Sequence, residues 1–137
     1  MYQKIVIVGN LGRDPEMRYT PGGQAVTNFS VATNRQYTAS DGQQVKETIW
    51  FRVSAWGRQA ETCNQYLRQG SRVLIEGRLT ADPATGGPRI WTRQDGSPGS
   101  SFEITAQTIK FLSTRDEDAS FQSSAPAGDM GDDDIPF

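Results

Sequence analysis

Residues 46–80 read KETIWFRVSAWGRQAETCNQYLRQGSRVLIEGRLT, and the order of elements on which the fold turns lies inside them. Over 46–56 the alternation of a strand puts Ile49, Phe51, Val53 and Ala55 on one side, a row suited to a core. Thr48, Trp50, Arg52, Ser54 and Trp56 fall on the other side, which is otherwise polar. The spacing then changes. Ala60, Cys63 and Leu67 share one face at helical intervals, which predicts a helix from Arg58 to Arg68 with Gly70 as its left-handed terminator. Residues 72–80 return to a strand pattern.

Outward from this block, 2–11 (YQKIVIVGNL) is rich in β-branched residues and ends at a turn, so it reads as a first strand. Asp14-Pro15 and Pro21-Gly22-Gly23 are turn signals around a short piece at Met17–Thr20. A second strand covers 24–35, and Ala39–Gln44, centred on Asp41-Gly42, reads as a hairpin loop. The last strand is expected over 102–112, after a Gly/Pro-rich stretch at 82–101 that is interrupted by Arg89-Ile90-Trp91-Thr92. Periodicity by itself supports a small all-β barrel or sandwich. Five strands with one helix between the third and fourth match the OB fold, a partly open Greek-key barrel. Residues 113–137 are poor in apolar side chains and rich in Ser, Ala, Gly and Asp, so they are expected to be a disordered tail beside a 1–112 domain.

Composition narrows the chemistry. The 137 residues contain no His and one Cys, which leaves no His-based triad, no His metal ligand, no zinc site and no internal disulfide. Neither phosphate-loop pattern occurs; Gly9-Asn10-Leu11-Gly12 is a superficial echo. No cofactor and no enzyme is expected. The N-terminus lacks signal-peptide architecture and no apolar run nears the roughly 18 residues of a membrane span. With a lone thiol, these features suit a cytoplasmic setting, and Cys63 reads as a small buried apolar residue. The net charge of −2 divides unevenly: residues 1–112 hold 13 Lys+Arg against 9 Asp+Glu, a balance of +4, and residues 113–137 hold one Arg against 7 acids, a balance of −6. A basic domain thus carries an acidic tail.

The polar side of the third strand suggests what the positive charge is for. Indole rings stack on unpaired bases while cations follow the phosphates. Tyr37 beside Arg35, and Trp91 between Arg89 and Arg93, place further aromatic–cation pairs in or near the loops with which OB folds grip oligonucleotides. Bland alternatives stand beside this. Trp50 and Trp56 could be covered by another element or by a partner subunit, and Trp91 could be a hairpin-stabilising cross-strand residue. Lys46, Arg52, Arg58 and Arg72 could be ordinary solvated charges. A protein- or oligosaccharide-binding OB module is the rival from another class.

KIVIVGNLGRDPEMRYTPGGQAVTNFSVAT at 4–33, WFRVSAWGRQAE at 50–61, YLRQGSRVLIEGRL at 66–79 and the terminal DDDIPF at 132–137 resemble the bacterial single-stranded DNA-binding protein family. The resemblance implies an OB domain that assembles as a homotetramer and binds single-stranded DNA, free in the cytoplasm and associated with the nucleoid. It places Tyr37, Trp50, Trp56 and Trp91 at base-stacking positions, Tyr37 where the family carries a tryptophan and Trp56 where it carries a phenylalanine. It implies phosphate contacts from Lys4, Arg18, Arg52 and Arg58, to which the aromatic–cation pattern adds Arg35, Lys46, Arg72, Arg89 and Arg93. Asp132, Asp133, Asp134, Ile135, Pro136 and Phe137 match the family's acidic tip, which implies recruitment of replication, recombination and repair proteins. Three departures stand out: Ala81–Pro88 looks like an insertion that shifts the register of Trp91, Phe51 replaces a familiar interface histidine, and the 113–131 connector is short.

Overall fold

A computed structural model describes residues 1–112. The chain runs β1 (Ile5–Leu11), β2 (Glu16–Tyr19), β3 (Ala25–Thr38), β4 (Gln44–Trp56), α1 (Arg58–Tyr66), β5 (Arg72–Leu79), β6 (Arg89–Thr92) and β7 (Pro98–Phe111). Strands neighbour one another in the order β1-β5-β7-β4-β3, and Asn10↔Ala32 with Leu11↔Val31 pairs β3 back onto β1. That last pairing closes a five-stranded barrel, so none of these five is left as a bare sheet edge over its whole length. β4 and β7 run parallel while the other barrel pairs are antiparallel. The expected OB architecture, with its helix between the third and fourth barrel strands, is therefore present.

Two short strands are additional. β2 extends the sheet beyond β3, and β6 forms a hairpin with β7. Each is four residues long, too brief for a period-2 pattern to declare itself among turn residues. β7 also starts at Pro98, four residues before the expected start at Phe102, because residues 98–101 find partners in β6. The β3–β4 hairpin is likewise longer than its apolar pattern, pairing without a break out to Thr38↔Gln44. Polar cross-strand bonds hold this projecting arm: Thr48 Oγ1 donates to Asn34 at 2.8 Å, and Gln44 Nε2 to Thr38 at 3.0 Å.

Inside the barrel, the alternating rows meet. Val31, Val53, Val73 and Ile75 are fully enclosed, and Ile7, Phe29, Phe51 and Ile104 pack around them. Each such side chain contributes about 1.5–3 kcal/mol by leaving water. α1 packs against β2, β3 and β4, burying Ala60 and Cys63, with the Thr27 hydroxyl donating to the Ala60 carbonyl at 2.6 Å. Cys63 is thus an apolar packing residue, and burial pushes its thiol up to about 12. The helix ends at Tyr66, short of the expected Arg68. Leu67 turns extended to bury its side chain in the core, and its N–H still bonds the Cys63 carbonyl at 2.9 Å. Gly70, with φ 91°, belongs to the turn that leads into β5.

Ile49 departs from its row. It is 41% exposed, since it lies where β4 leaves the barrel to form the arm. On β1, Ile5 and Ile7 turn inward, whereas Val6 and Val8 are exposed.

Candidate nucleic-acid interface

The outward row of β4 stands over a low floor. Cross-strand neighbours on β3 place Ala32 opposite Trp50, Ser30 opposite Arg52 and Asn28 opposite Ser54, all small or short polar residues. Nothing bulky on that side covers the indole, and Trp50 is 52% exposed. Trp56, at the end of the same row, is 40% exposed. Six residues of strand separate the two rings by about 20 Å.

Long-range pairing supplies the other wall. β7 sets Glu103 against Arg52, and β6 sets Arg89 opposite Ser101 and Trp91 opposite Gly99. A groove results that is lined by Ser30, Trp50, Arg52, Arg89, Trp91, Ser101 and Glu103, with Phe51 at its base. It continues past Ser30 and Arg52 into a polar hollow bordered by Arg13, Asp14, Glu16 and Asn28. Trp91 is 40% exposed, so it is at once a cross-strand hairpin residue and an open ring. The extra residues at Ala81–Pro88 do not displace it. They close on themselves through Asp82, whose carbonyl accepts from Gly86 at 2.8 Å and whose N–H donates to Gly87 at 2.9 Å. At the far end of the hairpin the Asp95 carboxylate accepts from the Ser97 hydroxyl and N–H at 2.6 and 2.9 Å, which holds its pKa below the usual carboxylate value.

The cations are distributed unevenly. Arg52 and Arg89 line the groove, and Arg89 approaches Glu103 at 3.9 Å, a loose surface pair that a phosphate could displace at little cost. Arg93 donates to the Pro98 carbonyl across the β6–β7 hairpin. Arg18 is opposite Val26, which is opposite Trp56, so a cation and an indole end one row across three strands. Arg58 opens α1 two residues beyond Trp56 and is exposed. Lys46 stands on the Trp50 side of the arm, further toward its tip. Arg35 and Tyr37 occupy the opposite side, because the unbroken register alternates faces. There Arg35 bonds Glu47 at 3.0 Å and sits 4.6 Å over the Tyr37 ring. Tyr37 therefore does not enter the Trp50–Trp91 groove. Lys4 pairs with Glu76 at 3.4 Å, and Arg72 is opposite Asn10; neither lines the groove. Residues 132–137 lie outside the described residues.

Arg13 was not singled out by the aromatic–cation pattern, having no aromatic neighbour in sequence; its place within GNLGRDPE was the available signal. Among the described residues, no three potential metal ligands cluster, and no helix is long and apolar enough to cross a membrane.

Comparison with known proteins agrees with this geometry. The pattern of the Single-strand binding protein family matches residues 2–112. The chain is 42% identical over 115 residues to the single-stranded DNA-binding protein of Wolinella succinogenes, covering 84% of the chain and 67% of that relative. Identity is 38% over 116 residues with the single-stranded DNA-binding protein of Neisseria meningitidis, covering 85% of the chain and 63% of that relative. The chain thus spans about two thirds of the length of these relatives. A crystallised deletion mutant of the single-stranded DNA binding protein from Thermus aquaticus superposes with a TM-score of 0.63 at 31% identity, over 82% of this chain and 51% of that one. A matched pattern spanning the whole barrel, together with relatives well above 30% identity, leads to one conclusion: the chain belongs to the single-strand binding protein family.

Proposed function

We propose that the 1–112 barrel binds single-stranded DNA with little regard to sequence. The observation that carries this is a single groove in which two open indoles, Trp50 and Trp91, alternate with the guanidinium groups of Arg52 and Arg89. Stacking and phosphate contacts hold almost no base identity, so such a groove tolerates any sequence. Trp56, Arg18 and Arg58 extend the path along β4, with Arg13 beside it. Tyr37 and Arg35 are reached if the strand passes around the β3–β4 arm. The family is one of binding proteins, and the chain is not an enzyme.

Titration with oligo(dT) tests this directly. Tryptophan fluorescence should be quenched stoichiometrically, and added salt should reverse it with a log–log slope of about −0.7 per phosphate neutralised. Quenching by a neutral oligosaccharide, with no response to oligo(dT), would favour the rival sugar-binding reading.

Residues 113–137 are proposed as a second unit that recruits proteins of replication, recombination and repair. Asp132–Asp134 supply charge, Ile135 and Phe137 apolar anchors, and Pro136 stiffens the link between them. This chemistry suits an apolar pocket with a basic rim. Deleting Ile135–Phe137 should abolish capture of such partners while oligo(dT) affinity stays within about twofold or rises, since the −6 tail repels phosphate. Loss of DNA binding on deletion would refute the division of labour. Assembly as a homotetramer is supported by the exposed Val6, Val8 and Ile49.

A further inference from the structure

Six of the glycines in the described residues have positive φ and need no other explanation. Gly12 and Gly99 do not, yet each lies against a groove tryptophan. A Cβ on Gly99 would fall 2.8 Å from Cε2 and 2.9 Å from Nε1 of Trp91, and 3.0 Å from Cζ of Arg93. No other atom of the indole is nearer than that arginine carbon, which places the point over the ring face rather than at its rim. A Cβ on Gly12 would fall 2.5 Å from Cζ3 and 2.7 Å from Cη2 of Trp50, with Cε3 at 3.7 Å. The jump from Cζ3 to its bonded neighbour Cε3 puts this point against the ring's outer edge. Both distances are shorter than any ordinary carbon–carbon contact, so alanine at either position must move the ring or the backbone.

We infer that Gly12 and Gly99 are positioning residues for single-stranded DNA: each is a seat without a side chain that holds a groove indole in its binding orientation before DNA arrives. The inference rests on the stacking role proposed above. Trp91 lies with one face on Gly99, in the manner of an aromatic covering a cross-strand glycine, so it offers a base its other face alone. Trp50 is held by its edge, which fixes the ring while leaving its faces clear. A ring already seated loses little rotamer freedom when a base stacks on it, which is where such a seat adds affinity. Gly12 is itself held, its N–H bonding the Ser30 carbonyl at 3.1 Å, and Ser30 lines the same groove.

A double-mutant cycle separates this role from a merely structural one. Oligo(dT) affinity is measured by anisotropy of labelled DNA for the full-length protein, Trp91→Ala, Gly99→Ala and the double variant, with circular dichroism confirming each fold. Trp91→Ala should lose roughly 5- to 150-fold, the range of one stacking contact. Gly99→Ala should lose about tenfold in the native background and nothing further in the Trp91→Ala background, with the salt slope unchanged. Native-like binding by Gly99→Ala, or an equal loss in both backgrounds, overturns the inference while leaving DNA binding intact. If Trp91→Ala itself binds normally, the stacking role of Trp91 falls and its seat falls with it. Should Gly99→Ala fail to fold, the same cycle with Gly12→Ala and Trp50→Ala decides.

Discussion

Replacing Trp50 and Trp91 together by alanine should weaken oligo(dT) binding by about 30- to 10,000-fold, from two stacking contacts worth roughly 1–3 kcal/mol each. Stability should change little. Both rings are open, at 52% and 40% exposure, so truncation removes little buried apolar area and opens no cavity in the core. Anisotropy of labelled DNA is the suitable measurement, since most of the intrinsic fluorescence signal is removed with the rings. A folded double variant that binds within threefold of the native protein would show that phosphate contacts alone hold the strand. The salt slope should persist in the variant, because Arg52, Arg89 and the other cations are untouched.

Introducing lysine at Val8 and Ile49 should reduce the native assembly to a species of 15.1 kDa, the mass of one chain, by light scattering. Val6, Val8 and Ile49 are 54%, 36% and 41% exposed and border one shallow apolar groove with Thr33, Asn34, Arg35 and Glu47. Apolar side chains concentrated this way on a small domain mark a contact surface. In a two-fold arrangement every residue buries twice, so about 1.5–3 kcal/mol per covered side chain counts in each subunit. Lysine would bring an unpaired charge into that contact, at a cost of several kcal/mol. A native protein that scatters as a monomer would end the tetramer proposal without touching the groove. The barrel should survive the substitutions, since neither side chain belongs to its core.

Much of the fold was open to reading because its cause is local. Thr48–Trp56 alternates with the strand period, and Phe51, Val53 and Ala55 do turn inward while Trp50, Arg52 and Trp56 turn out. Cys63 and Leu67 at helical spacing lead into the core as the pattern required, although Leu67 does so from just past the helix end. Failures cluster where partners are distant. β6 was not recognised as a strand because four residues acquire that conformation only by pairing with β7. Ile49 satisfies the inward period yet stays exposed, because no local rule states where the barrel ends and the arm begins. Arg35 and Tyr37 carry the right chemistry, but an unbroken register turns them away from the groove.

Alternation, turn chemistry and the charge division between 1–112 and 113–137 follow from residue order alone, since each depends on neighbours a few positions apart. The meeting of Trp50 with Trp91, the hollow beside Arg13 and the glycine seats depend on closing the chain into a barrel. β4 and β7 lie parallel with Arg52 against Glu103 across some fifty residues of chain, and only that pairing brings the two indoles to one groove. Periodicity determines which way a side chain points along its own strand. What it points toward is settled by contacts between segments that no short window of sequence contains.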